Sequence, residues 1–333
     1  MRKATMQDIA NKAGVSKTTV SMVLNKKDSN ISSATKDKIF KITQELNYIP
    51  NSIARSLSTR KSGTIGIMVP DITNPFFSEI ARAIEDAANF FEYNVIFCNS
   101  DNEIEKEEKY IQLLVSKLVD GVIFIAGGKS TKSIDILNNN GVPFVLVDRY
   151  VEGYENSYGV YTLNKEGIID GIDYLYKENK RKIVFVSGSS EIEISNLRLD
   201  GYKEAMKSYK IYDESLIFEG DFTIDGGKKA TEEILENIKD FDAIFYSNDV
   251  MALGGMKVLK RQGYTIPEDV SIIGFDNIQL SQIVEPELTT IGQPIYDIGK
   301  ESCKLLIDVI NENDIHEKVI KFKPKLIKRG TVK

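Results

Sequence analysis

The sequence has one histidine, two cysteines and no long apolar run, and each shortage excludes a class of function. The single His316 rules out any site that needs a pair of histidines. A Ser-His-Asp triad would have to use it, yet it sits in a polar turn between Asp314 and Glu317 and reads as a solvated loop residue. Cys98 and Cys303 cannot build a disulfide framework, and each reads as a small buried hydrophobe. No apolar stretch reaches the ~18 residues that cross a bilayer. The first residues, Met1 to Asp8, turn acidic before any apolar segment, unlike a secretory leader. A cytoplasmic protein with no membrane partner is expected. Phosphate motifs are missing too. There is no G-x-x-x-x-G-K-[ST], and no G-x-G-x-x-G follows the first candidate strand, so no nucleotide cofactor is expected.

What is present is ordinary in bulk. The chain has 333 residues, 42% hydrophobic and 28% charged, with 23 Gly and 8 Pro, which fits a folded chain of two or three domains. The net charge of −6 is unevenly spread. Residues 1–62 hold 12 of the 43 Lys/Arg and 4 of the 49 Asp/Glu, a net of +8; the remainder holds 31 and 45, a net of −14. A basic head on an acidic body is the asymmetry of a DNA-binding module joined to something else.

Inside the head, Thr5-Met6-Gln7-Asp8 fits a capping box, with Asp8 in place of the usual Glu. A short helix follows with Ile9, Ala10 and Ala13 on its apolar face, and Gly14 ends it. Ser16 caps a second helix, Lys17 to Asn25, with Val20, Val23 and Leu24 inward. A third is expected from about Ser32 to Leu46, with Ile39, Ile42 and Leu46 closing a three-helix core. Two short helices joined by Ala-Gly-Val form a helix-turn-helix pattern, whose second helix enters the major groove by its N-terminal end. Lys17, Thr18, Ser21 and Met22 are its exposed residues there. Residues 50–63 end in Ser, Arg, Lys and Gly, the composition of a linker, and are too short for a stable isolated helix.

Gly14-Val15-Ser16, Thr19-Val20-Ser21, Val23-Leu24-Asn25, Asn47-Tyr48-Ile49-Pro50-Asn51 and Ala54-Arg55-Ser56-Leu57 together resemble the LacI/GalR family of bacterial repressors, and the likeness runs through the whole chain. The resemblance implies a helix-turn-helix domain over 1–50 and a hinge helix over 51–62 that folds on DNA. It also implies an effector and dimerisation domain over 63–333. Expected DNA contacts are Thr5, Ser16, Lys17, Thr18, Thr19, Ser21, Met22, Asn25, Asn51, Ala54, Arg55 and Leu57. Leu57 matches the leucine that wedges into the minor groove. The family usually carries Arg where this chain has Met22. Methionine cannot pair with guanine O6 and N7, so operator preference at that position does not carry over.

The body alternates apolar strands with amphipathic helices. Candidate strands are Thr64–Val69, Asn94–Cys98, Gly121–Ile125, Pro143–Val147, Lys182–Val186, Asp242–Tyr246 and Val270–Phe275. Helical patterns include Phe77–Phe91, Glu103–Leu118 and Lys165–Glu178. This is an α/β pattern of parallel sheets wrapped by helices, with strands enough for two sheets. The resemblance supplies the layout: two periplasmic-binding-protein-like lobes joined by three crossovers. Lobe one takes about 63–160 and 291–320, and lobe two about 161–290 and 321–333.

Open α/β sheets bind ligands beyond the carboxyl ends of their strands. Those positions hold Asn74, Phe76, Phe77, Asp101, Asn102, Asp148, Arg149, Arg198, Phe222, Asn248, Asp276 and Gln293. Planar amides, carboxylates and guanidinium groups pair with adjacent hydroxyls, while phenyl rings cover C–H faces, so the set suits a small polyhydroxyl ligand. Position by position it resembles the ribose pocket of the related ribose-binding protein. The expected function is therefore a homodimeric, non-enzymatic repressor on a pseudo-palindromic operator, controlled by a small sugar, with ribose expected and allose, xylose and phosphorylated pentoses left open. Three alternatives stand beside it: a catabolite regulator using a phosphorylated carrier protein as corepressor, a sugar-transport protein, and an enzyme using Asp148 and Asp276. The basic head and the missing leader count against transport, and a full sugar pocket against the other two.

Overall fold

The first 62 residues form one unit and Gly63–Lys333 a second in the computed structural model. The structure describes residues 4–25, 30–49, 61–125, 130–151, 153–154 and 157–333. The expected hinge residues Asn51, Ala54, Arg55 and Leu57 lie outside these.

The head comprises α1 (Met6–Ala13), α2 (Lys17–Leu24) and α3 (Ser33–Glu45). Its helix ends follow from local chemistry. The Thr5 hydroxyl accepts the Asp8 N–H while an Asp8 carboxylate oxygen accepts the Thr5 N–H at 2.8 Å, a complete capping box. Gly14 ends α1 at φ 71°, a left-handed conformation that costs glycine little. The Ser16 and Ser32 hydroxyls accept the Thr19 and Thr35 N–H groups, capping α2 and α3. Ile9, Ala10, Ala13, Val20, Val23, Ile39 and Ile42 form the core, with Leu24 and Leu46 half-buried at its edge.

The second unit contains two six-stranded sheets. In the first lobe, β1 (Thr64–Val69), β2 (Asn94–Asn99), β3 (Gly121–Ile125), β4 (Phe144–Val147), β5 (Gly159–Thr162) and the late β11 (Val319–Phe322) pair in the order β11-β5-β4-β3-β1-β2, all parallel. Helices α4 (Pro75–Phe90), α5 (Ile104–Ser116), α6 (Lys132–Asn139) and the late α11 (Ile295–Ile310) cover it. In the second lobe, β6 (Ile183–Ser187), β7 (Ile217–Glu219), β8 (Ala243–Tyr246), β9 (Ser271–Asp276), β10 (Thr289–Gly292) and β12 (Lys325–Ile327) pair as β12-β10-β9-β8-β6-β7. Only the β10/β12 pairing is antiparallel among these described strands. Helices α7 (Asn164–Lys177), α8 (Glu193–Ser208), α9 (Ile224–Asn237) and α10 (Asp249–Arg261) belong to this lobe. Residues on the sheet faces, such as Ile65, Ile123, Val145, Val184, Ile244 and Ile272, are fully buried. Burial on both sides is why the strands read as continuous apolar runs.

The chain passes between lobes after β5, after β10 and after β11. These crossings fall a few residues later than the expected 160/161, 290/291 and 320/321, because β5, β10 and β11 each complete a parallel ladder before the chain leaves the sheet. The apolar pattern of the sequence does not mark those three strands, nor β7 and β12. They are three or four residues long, and a short apolar run carries little periodicity.

Candidate functional site

The cleft is built at the carboxyl ends of the strands. Beyond β1, the Asn74 side chain caps α4 by accepting the Phe76 N–H at 3.1 Å. That cap sets Phe76 and Phe77 on the first turn, where their rings meet edge to face with centroids 5.3 Å apart. Beyond β4, Asp148 adopts φ 45° and one of its carboxylate oxygens accepts the Thr162 N–H at 2.8 Å. Across the cleft, Asn248 caps α10 by accepting the Met251 N–H at 2.9 Å and donates its amide to the Phe222 carbonyl at 3.1 Å. Arg198, buried on α8, donates Nε–H to Asn164 Oδ1 at 2.8 Å, donates from Nη1 to the Ser247 carbonyl, and lies 3.8 Å over the Phe275 ring. Its Nη2 is 3.7 Å from Asp276.

A cavity of ≈ 110 Å³ lies between the lobes. One water needs about 10–15 Å³ on this measure, so the space suits a small polyol. Asn74, Phe76, Phe77, Asn102, Asp148, Arg198, Phe222, Asn248 and Asp276 all line it. Three expected contacts do not. Asp101 faces away, accepting from Asn99 and pairing with Lys106. Arg149 turns into lobe one and pairs with Glu107. Gln293 stands behind the wall, donating to Asp276 at 2.8 Å and accepting the Thr162 hydroxyl at 2.5 Å. Pro70, Asp71, Ile192, Ile194, Asp221 and Thr223 line the cavity in addition to the expected residues. Asp71 and Asp221 share an Asp-x-Thr pattern, each carboxylate accepting from the Thr two residues on, and that repeat is the signal in the sequence that could have found them.

A ring of side chains ties the crossovers to this wall. Thr162 donates to Gln293, Gln293 to Asp276, Asp276 faces Arg198, Arg198 donates to Asn164, and Asn164 donates back to the Thr162 carbonyl at 3.1 Å. Thr162 and Asn164 flank the first crossover, and no sequence motif marks either. Buried charge is concentrated here. Burial raises Asp148 to about 6, against lowering by the Thr162 N–H and Arg198. Burial also raises Asp276, to about 7, despite Arg198. Asp249 lies behind it, accepting the Thr290 hydroxyl at 2.5 Å, and is pushed upward by burial and then by Asp276. Arg198 is shifted downward by burial. Asp148 and Asp276 thus face the cavity beside one guanidinium, carboxyl oxygens that can accept donated hydroxyl protons.

In the head, Lys17, Thr18 and Met22 project from α2 and are exposed, with Ser21 half-buried beside them. Thr5, Ser16 and Thr19 are engaged in caps. Asn25 donates to the Ser21 carbonyl at 2.8 Å, closing the end of the helix.

Residues 5–51 match the family model for bacterial regulatory proteins of the lacI family, and residues 172–332 match that for a periplasmic binding protein-like domain. The ribose operon repressor of Halalkalibacterium halodurans is 40% identical over 329 residues, which is 99% of this chain and 97% of that protein. The chain belongs to the lacI family. It is a DNA-binding transcriptional regulator and not an enzyme. Its fold is similar to that of the lac repressor dimer bound to operator and the anti-inducer ONPF, with a TM-score of 0.89, 26% identity and 99% of each chain covered. A lacI-family regulator from Enterococcus faecium with bound ribose is similar at a TM-score of 0.74 and 34% identity, over 81% of this chain and 98% of that one. Cys98 and Cys303 are buried and free, with burial raising their thiols to about 11 and about 12, far from a reactive thiolate. His316 is exposed. Among the described residues no helix is long and apolar enough to cross a membrane.

Proposed function

We propose that this regulator is a cytoplasmic homodimer that represses transcription from a pseudo-palindromic operator and releases it when ribose fills the cleft. The observation that carries the sugar reading is the interlobe cavity, where Asp148, Arg198, Asn248 and Asp276 gather polar groups and Phe76, Phe77 and Phe222 gather rings. Hydrogen-bonding side chains from both lobes meet one small space, so its occupant favours the arrangement in which all of them are paired. The ribose-bound relative and the 40%-identical ribose operon repressor support ribose over other pentoses. A single helix-turn-helix reads few base pairs, so two heads on two half-sites give useful specificity. Lys17, Thr18, Ser21 and Met22 would meet base edges. Asn51, Ala54, Arg55 and Leu57 would form the hinge contact, with Leu57 as the minor-groove wedge. Coupling of about 1–3 kcal/mol between cleft and head changes operator affinity roughly 5–150-fold.

The test is operator affinity measured with and without ribose, beside thermal midpoints with ribose, xylose, allose and ribose 5-phosphate. Ribose should give the largest stabilisation and weaken operator binding. Affinity that stays flat or rises at saturating ribose refutes induction by this sugar.

A further inference from the structure

The Asp148-Arg149 turn depends on a residue that lies outside the cleft. Arg149 is 1% exposed and Glu107, on the first turns of α5, is 5% exposed. Arg149 Nη1 donates to one Glu107 oxygen at 2.7 Å and Nη2 to the other at 3.0 Å, a bidentate pair sealed inside lobe one. Nη2 also donates to the Ser130 carbonyl at 3.3 Å, and the guanidinium lies 4.8 Å from the centre of the Phe124 ring. The Tyr161 hydroxyl donates to the Arg149 carbonyl at 3.3 Å. Five contacts thus immobilise the residue that follows Asp148, whose φ of 45° is unfavourable for an L-residue and needs such support. Arg149 Nε is buried and has no hydrogen-bond partner among the described residues.

Removing one member of a buried ion pair strands the other charge, so an effector does not draw Arg149 off Glu107. We propose that Glu107 is a positioning residue of the effector site: by holding both terminal nitrogens of Arg149 it fixes the turn that sets the adjacent Asp148 at the cleft wall. The proposal rests on the cleft being a sugar site. It assigns the affinity and selectivity of that site partly to a carboxylate that never touches the ligand.

The experiment is calorimetric titration of the full chain with ribose and with xylose, for wild type, Glu107→Gln, Glu107→Asp, Arg149→Lys and the Glu107→Gln/Arg149→Lys double variant. Each thermal midpoint is measured without sugar. Glu107→Gln should weaken ribose at least tenfold and compress the ribose-to-xylose ratio. Glu107→Asp keeps the charge and should lose less, and it carries the comparison if the Gln variant does not fold. The double variant should be no more than about threefold weaker than the worse single one, because both act through one pair. A lowered midpoint with unchanged ribose affinity, or losses that multiply in the double variant, would overturn the proposal and leave the sugar reading standing. Wild type that ignores ribose but binds another sugar of the panel would overturn ribose as effector, and the same cycle then tests Glu107 on that sugar. Wild type that binds neither ribose, xylose, allose nor ribose 5-phosphate overturns both.

Discussion

Lowering the pH from 8 to 6 should make the sugar-free protein more stable, which is opposite to ordinary acid sensitivity. The cause is the pair of cleft carboxylates. Burial raises Asp276 to about 7 and Asp148 to about 6, against about 3.9 in an unfolded chain. A carboxyl whose folded pKa is raised binds its proton more tightly in the native state. Its contribution is greatest below the unfolded pKa and is lost as pH rises through the folded one. Between pH 8 and 6 the two together regain roughly 2 kcal/mol or a little less, because each tenfold difference in proton affinity between folded and unfolded chain is worth ~1.36 kcal/mol. That is a rise of roughly 4–7 °C in the midpoint at ~2–4 °C per kcal/mol. Exposed carboxyls held low, such as Glu45, Asp101, Asp213 and Asp225, titrate below this window and do not mask the effect. Differential scanning calorimetry at half-unit steps measures it. Asp276→Asn should clearly reduce the slope. Saturating effector should flatten it in wild type, because sugar hydroxyls donate to the charged carboxylates. A midpoint that climbs with pH from 6 to 8, or an unaltered slope in Asp276→Asn, refutes the reasoning.

Gly227→Ala should destabilise the second lobe by about 3 kcal/mol or more. The added Cβ would stand 2.2 Å from the Met251 carbonyl oxygen, a backbone atom of α10 that cannot turn aside, and denaturant midpoints check it. Thr5→Ala should cost the head about 1 kcal/mol through its lost cap, while Thr5→Ser should cost little. Hydrogen exchange of the α1 amides distinguishes the two, and equal protection in both variants would mean that the capping box does not hold α1.

The head was legible because its signals are local. Thr5 and Asp8 are three residues apart, and Gly14 follows the helix that it ends. The long buried strands were legible for a related reason: burial on both faces leaves unbroken apolar runs such as Ile183–Val186. Short strands gave no comparable signal. β5 and β10 each have four residues, and what makes them strands is the ladder beside them. The cleft falls between these cases. The rule that ligands sit beyond strand ends located Asn74, Asp148, Asn248 and Asp276, and Ile192 and Ile194 escaped it because nothing chemical marks an isoleucine at the start of a helix.

By itself the sequence determined the basic head, the helix-turn-helix, the α/β body and the residue types gathered at the strand ends, since each follows from neighbours in the chain or from composition. Only the tertiary structure decided which way those side chains turn. Asp148 and Arg149 are adjacent, yet Asp148 lines the cavity while Arg149 pairs with a carboxylate 42 residues earlier. Gln293 reaches Thr162 from 131 residues away, and Asp276 from 17. A buried charge goes to the partner that best repays its desolvation, and that partner is fixed by how the sheets and helices pack, not by what stands next to it in the chain.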